Sequence, residues 1–172
     1  MLEIETWSKE KVHAVMLELL YSFNYMWFLM ENWMRKNCPE KLDSEDVLKL
    51  SEEFGSYEAY RLAKVLLDTG TGVEKLEIFT RHSHWCAFED IELTKVSAKT
   101  LRMSTFGCTT QKAAQKWGMN CYECGKNALR LRQGFFSRID SAARVIRIFT
   151  PPDDKPRGIP EEVSCHWLIT IE

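Results

Sequence analysis

The chain has 172 residues, enough for one domain with its own core and too few for two ordinary ones. Hydrophobic residues make up 45%, charged residues 28% and aromatic residues 12%, which excludes a disordered chain. A formal net charge of −2 gives no sign of a protein built around bulk nucleic-acid binding, and no nucleic acid is expected as a partner.

The first residues, Met1-Leu-Glu-Ile-Glu-Thr-Trp7, lack a basic region followed by an apolar core. They do not read as a secretory signal. Ser8 is placed to cap a helix that runs to about Asn37, where Cys38-Pro39 ends it. Residues 12–30 are strongly apolar, but Glu18, Ser22 and Asn24 interrupt them. A membrane span needs about 20 predominantly apolar residues, so a buried helix is expected and no membrane partner. Met16, Leu20, Phe23, Trp27, Met30 and Met34 form a heptad-like stripe on this helix. Such a helix is covered by its own domain or by a twin subunit, which makes a homodimer through the first helix an expectation. Part of the stripe, Trp27 above all, is a candidate lining for an apolar ligand pocket.

A second helix starts at Asp43 or Ser44, with Val47, Leu50, Phe54 and Tyr57 as its expected inner face. Gly55 inside it implies a kink or close packing. The pattern continues through Leu66 and stops at Asp68-Thr-Gly-Thr-Gly72. Residues 73–80 read as a short third helix. Residues 85–94 and 100–106 read as two strands joined by a turn at Ser97-Ala98-Lys99. A weak helix over 109–117 and a stronger one over 123–140 follow, the latter with Ala128, Leu131, Phe135 and Ile139 on one face. Residues 144–149 and 163–171 are the last two strands, separated by a Pro-rich loop. The order is ααα-ββ-αα-ββ, an α+β fold with N-terminal helices packed on a small antiparallel-rich sheet. Residues 1–172 are expected to form one domain, with 1–82 its helical half and 83–172 its sheet and cysteine-site half.

Six cysteines are present: Cys38, Cys86, Cys108, Cys121, Cys124 and Cys165. A chain of this size needs no disulfide staples, so reduced thiols in the cytoplasm are expected. Cys121-Tyr-Glu-Cys124 is a C-x-x-C pair, a spacing that lets two thiolates reach one tetrahedral metal or form a redox dithiol. No second such pair exists, which excludes a standard zinc ribbon. Cys108 follows the second strand and Cys165 lies in the last. A turn after one strand, a helix start and a neighbouring strand can converge, giving a candidate metal set of Cys108, Cys121, Cys124 and Cys165. Thiolates suit zinc first and an iron–sulfur cluster second. Four cysteines would make a structural site; three with an open position would hold a ligand or activate water.

In the last strand Val163, Cys165, Trp167, Ile169 and Ile171 share one face and His166 points to the other. Cys165 is therefore the expected site residue and His166 an exposed or edge histidine. His82-Ser-His84 has a spacing used by metal sites, yet a surface loop is the plainer reading. Asp90 and Glu92, two apart on a strand, read as solvated residues before acid/base groups. Residues 40–58 carry seven acids and two lysines. Residues 122–149 carry Lys126, Arg130, Arg132, Arg138, Arg144 and Arg147 against Glu123 and Asp140. Two solvated helix faces explain this charge split; as an anion-binding rim, Arg130 and Arg138 would serve. Trp27, Trp85, Phe135 and Arg130 are the candidate ligand-pocket residues. There is no Walker loop, no dinucleotide fingerprint and no G-x-S-x-G elbow.

Several short segments resemble a known group of proteins. They are Tyr25-Met-Trp-Phe28, Gly55-Ser-Tyr-Glu-Ala-Tyr-Arg61, the segment bearing Cys108, the cysteine at 121, and Cys165-His-Trp167. Together they resemble an uncharacterised bacterial and archaeal domain family related to L-2-amino-thiazoline-4-carboxylic acid hydrolase and to the 4-vinyl reductase ligand-binding domain. The resemblance implies an α+β fold with a pocket between helices and sheet. It implies a site on Cys108, Cys121 and Cys165, with Cys124 less tied to the family positions. It also implies small-ligand and zinc binding, or opening of a cyclic C–N bond. Three functions are thus expected in order: a small-molecule-binding domain with a cysteine-ligated zinc, as sensor or carrier; a hydrolase of a C–N bond, with metal-bound water or Cys108 as nucleophile; and a helix-mediated dimer without thiol chemistry.

Overall fold

The computed structural model describes residues 6–42, 44–66, 70–116 and 118–172. The helix start at Asp43, the breaker residues Asp68 and Thr69, and Trp117 lie outside them. The chain divides into two compact units, one ending at Leu42 and the other formed by the residues after it.

The first unit is helix α1, Lys9–Asn37, followed by a 3₁₀ turn at Pro39–Lys41. Ser8 caps α1 by accepting a hydrogen bond from the Lys11 amide. Met16, Phe23, Trp27 and Met30 are about half exposed or more, and only Phe28 and Glu31 are buried.

The second unit contains α2 (Glu45–Ala63), α3 (Gly72–Arg81), α4 (His84–Phe88), β1 (Asp90–Ser97) and β2 (Thr100–Gly107). After these come α5 (Thr109–Lys116), α6 (Gly125–Ile139), β3 (Ala143–Phe149) and β4 (Cys165–Ile171). The fold is α+β, and its helices among the described residues lie mostly toward the N-terminus. The four strands pair antiparallel in the order β1-β2-β4-β3. Helices α2 and α3 belong to the same compact unit as this sheet.

The alternation read in β4 is the alternation found. Val163, Cys165, Trp167 and Ile169 are buried, while Ser164, His166 and Leu168 are only partly so. Because β4 lies between β2 and β3, His166 is not an edge residue; its Nδ1 is 3.0 Å from the Ser104 hydroxyl. The inner face of the sheet adds Leu101 and Met103. Phe135 and Phe136 of α6, Leu76 and Phe79 of α3, Trp85 of α4 and Ala59 of α2 complete the core.

Two expectations are corrected. The buried face of α2 is not Val47, Leu50, Phe54 and Tyr57, of which the last three are exposed. It is Leu48, Ser51, Gly55 and Ala59. Small residues win because α2 and α6 cross at backbone distance. A Cβ on Gly55 would overlap the Leu131 carbonyl, and one on Gly134 the Glu52 carbonyl. Gly55 therefore marks close packing. Second, residues 85–88 are helical and the strand begins only at Asp90. The Glu58 carboxylate accepts the His84 backbone N–H at 2.7 Å, satisfying one of the donors a helix start leaves open. The Ser83 hydroxyl donates to the Thr80 carbonyl just before it. A side chain 26 residues away thus favours a turn of helix where local pattern suggested a strand.

Candidate functional site

Three cysteines of the second unit stand on three different elements. Cys108 ends the excursion from β2 and caps α5. The Gln111 amide donates to its Sγ at 3.4 Å and the Lys112 amide to its carbonyl at 3.2 Å. Cys124 caps α6, whose first turn closes with the Ala128 amide donating to the Cys124 carbonyl at 2.8 Å. Cys165 opens β4 on the inner face and accepts the indole N–H of Trp167 at 3.2 Å. The Cys108 thiol feels the charges of Cys165 and Cys124, and the Cys124 thiol that of Cys165. Burial, then the Glu123 charge, raises the Cys121 thiol. In the segment between α5 and α6, the Gln111 side chain clasps the Tyr122 backbone at both ends, donating to its carbonyl at 2.6 Å and accepting its amide at 3.1 Å. Tyr122, between Cys121 and Glu123, is buried.

Glu89, the residue that ends α4, shares hydrogen bonds with Cys108 and Thr109. Burial pushes its carboxyl above the usual carboxylate range, and the Arg132 guanidinium offsets this only in part. Burial, then the Glu89 charge, pushes the Cys108 thiol up to about 12. Burial pushes Cys124 up to about 11, again against the pull of Arg132. Cys86 is also raised by burial. A nucleophilic cysteine needs the opposite, a thiol lowered by positive surroundings. The raised Cys108 thiol lacks the positive surroundings that would lower it.

Arg132 is buried and lies between two indoles, 5.1 Å from the Trp85 ring centre and 4.5 Å from that of Trp167. On the far side of α4, His84 Nδ1 meets the Glu58 carboxylate at 2.8 Å. His82 turns away, its Nδ1 at 2.8 Å from the Ile78 carbonyl, so the two histidines of the H-x-H serve different neighbours. Among the described residues, no three His, Cys, Asp or Glu side chains converge, as they stand, on a point that would hold a metal ion.

The expected pocket residues are scattered. Phe135 is fully buried and packs edge-on against Trp85, with ring centres 4.8 Å apart, so both fill the core. Arg130 is held at the surface by Glu52 at 3.1 Å and Glu45 at 2.9 Å. Trp27 belongs to the first unit. Arg138 rests over the Tyr60 ring at 5.4 Å. Asp90 and Glu92 are exposed beside an open depression that Arg81 and Phe106 also line. Two residues of the cluster were not singled out from sequence: Glu89, which read as part of a strand, and Arg132, one cation in a basic run. Arg132 carried a usable signal, since the spacing to Phe135 and Phe136 puts it on the inner side of α6.

No helix among the described residues is long and apolar enough to cross a membrane. A model of a family of unknown function (DUF6125) matches residues 12–171. Nothing links that family to the hydrolase or to the reductase ligand-binding domain whose segments the chain resembles. A search of curated proteins finds no match.

Proposed function

The chain belongs to this family of unknown function, DUF6125, and for this member we propose a small-molecule-binding domain built on a cysteine-ligated metal, zinc first, acting as a sensor or carrier in the cytosol. The ligands are Cys108, Cys124 and Cys165, without Cys121. One observation supports the reading: Cys108, Cys124 and Cys165 lie on three elements of the second unit, and Cys108 feels the charge of the other two and hydrogen-bonds the partly buried Glu89 carboxyl. Thiolate donors favour zinc over harder cations. Cys108 and Cys124 each sit at a helix N-terminus, where the helix dipole favours the thiolate once a cation has displaced the proton. Cys108, Cys124 and Cys165 would hold the metal through their thiolates. The fourth position is left for a small ligand, with Glu89 beside it. All six cysteines stand as free thiols, as a reducing compartment requires.

The test is metal content per chain in protein purified under reducing, anaerobic conditions, by elemental analysis beside native mass spectrometry. Wild type and Cys121→Ser are expected to carry about one zinc, and Cys165→Ser none. Metal-free wild type with every thiol free would overturn the proposal. Loss of zinc in Cys121→Ser alone would overturn this ligand set.

For the first unit we infer self-association of α1 with a second copy of the chain. The support is the run of large apolar side chains that α1 leaves exposed: Met16, Phe23, Trp27 and Met30.

A further inference from the structure

Thr150, the residue after β3, is 1% exposed, and its hydroxyl is buried with no hydrogen-bond partner among the described residues. Its backbone is occupied. The Thr150 amide donates to the Asp153 carboxylate at 3.1 Å, and the Thr150 carbonyl accepts the Asp153 amide at 2.8 Å. Leaving a buried hydroxyl unpaired is costly, so the group calls for an explanation. The hydroxyl is aimed at the start of α6. A Cβ on Gly125, the first residue of that helix, would stand 2.8 Å from the Thr150 Oγ1 and would overlap the Arg147 guanidinium. Glycine at 125 is what lets both side chains come so close to the backbone. No side chain caps α6. Its first turn closes with the Ala128 amide donating to the Cys124 carbonyl, so the Gly125 and Asn127 amides have no partner within the helix. The Arg147 side chain is 38% exposed, and its Nε stands 3.7 Å from the Asp153 carboxylate, a loose pair that leaves the Nη atoms to other partners. In charge, Arg147 and Lys126 are balanced by Asp153 and Glu123, which leaves the positive end of the helix over.

We infer that the first turn of α6, the Arg147 guanidinium and the Thr150 hydroxyl form a binding site for a phosphate group, either free phosphate or the phosphate of a small monoester. The inference is independent of the thiol site, since none of these groups is a proposed metal ligand. Three kinds of donor meet here: helix amides, a guanidinium fork and a hydroxyl. The three terminal oxygens of a phosphate can face all of them at once, whereas a carboxylate has only two. Arg147 takes two oxygens through its Nη pair, the bidentate contact that arginine makes and lysine does not. The Gly125 amide and the Thr150 hydroxyl take the remaining lone pairs, and the helix dipole favours the charge. Among the basic residues over 122–149, Arg130 is engaged with Glu45 and Glu52 and Arg138 with the Tyr60 ring, while Arg147 reaches a helix start.

The experiment titrates inorganic phosphate and, separately, phenyl phosphate into reduced, metal-free full-length protein at physiological salt, by calorimetry. Wild type is expected to bind saturably, with one site per chain. Arg147→Met is expected to bind about 10–100-fold more weakly, the worth of hydrogen bonds to a charged group. Arg147→Lys, which keeps the charge and loses the fork, should fall in between. Thr150→Val keeps the shape of the side chain and removes only its hydroxyl. It should bind about 10-fold more weakly, while its Tm in phosphate-free buffer stays as in wild type or rises, because the lost group had no partner. A hydroxyl with a purely structural role would give the reverse, a lower Tm and unchanged affinity, and would overturn the inference. Phenyl phosphate bound more tightly than inorganic phosphate would identify a phosphorylated small molecule as the ligand, and equal affinity would identify the free anion; either upholds the site. No saturable binding of either probe at millimolar concentration would overturn it, as would unchanged affinity in Arg147→Met.

Discussion

At the scale of single residues, the cysteine cluster makes a prediction about stability without any metal. Burial holds the Cys108 thiol at about 12 and that of Cys124 at about 11, against an ordinary value near 9 in the unfolded chain. The sign follows from which state keeps its proton. Below pH 9 both states are protonated and these thiols contribute their full stability. Above it the unfolded chain ionises first, so stability falls as pH rises toward the folded values. Denaturant melts of reduced, metal-free protein between pH about 8 and about 11 should show a steady loss. Cys108→Ala should make that slope shallower. An unchanged slope would mean that Cys108 is not buried as a neutral thiol. Much of this cluster was legible from residue type and spacing, since Cys108, Cys124 and Cys165 were all candidates. The clasp of Gln111 around Tyr122 was not legible, because it is an interaction across 11 positions that no C-x-x-C spacing records. Glu89 and Arg132 were missed for a related reason. A lone carboxylate and one arginine in a basic run become site residues only when α4 and α6 bring them to the thiols.

At the scale of elements, legibility tracked how local the deciding force is. β4 was readable because its period-two alternation is imposed by a sheet with one buried face. Caps at Ser8 and Ser44 were readable because each serine bonds an amide three positions ahead. The inner face of α2 was not, because its large apolar residues point outward and small ones face α6. Ser51, Gly55 and Ala59 recur every four residues on the buried face, where Gly55 lies against the Leu131 and Phe135 backbone and Gly134 against that of Glu52. This crossing has a measurable consequence. Gly55→Ala would press a methyl group into the Leu131 carbonyl, and Gly134→Ala into the Glu52 carbonyl. Backbone cannot rotate aside as a side chain can, so each change should cost about 1–3 kcal/mol or more, despite the better helix propensity of alanine. Urea melts of each variant at neutral pH check this. A stabilising effect of either substitution would show that the two helices stand further apart. Because Cys124 begins α6, a shifted crossing should also weaken metal retention in the same variants.

For the molecule as a whole, the core is one-sided in sequence: every residue of the main hydrophobic cluster, from Ala59 to Ile171, belongs to the second unit. Among its described residues the first unit buries three, Phe28 and Glu31 in a helix of 29 and Leu42 beyond it. A single helix of that length is marginal in water on propensity alone and gains stability from packing an apolar face. Met16, Phe23, Trp27 and Met30 recur at intervals of seven, four and three, the repeat of a helix-pair seam. A matching seam on a second copy would satisfy it, and a self-complementary contact of this kind closes as a dimer. Trp27→Glu combined with Met30→Glu places four charges at the centre of such a symmetric seam. Sedimentation of wild type should show a dimer, and the double variant a monomer. Zinc content and the melting of the second unit should stay as in wild type, since neither substituted residue belongs to its core or its cysteine cluster. Wild type that stays monomeric across concentration, or a double variant that stays dimeric, would rule α1 out as the seam. A double variant that loses both dimer and metal would show that the site depends on assembly, and that the two units are coupled more tightly than their separate cores imply.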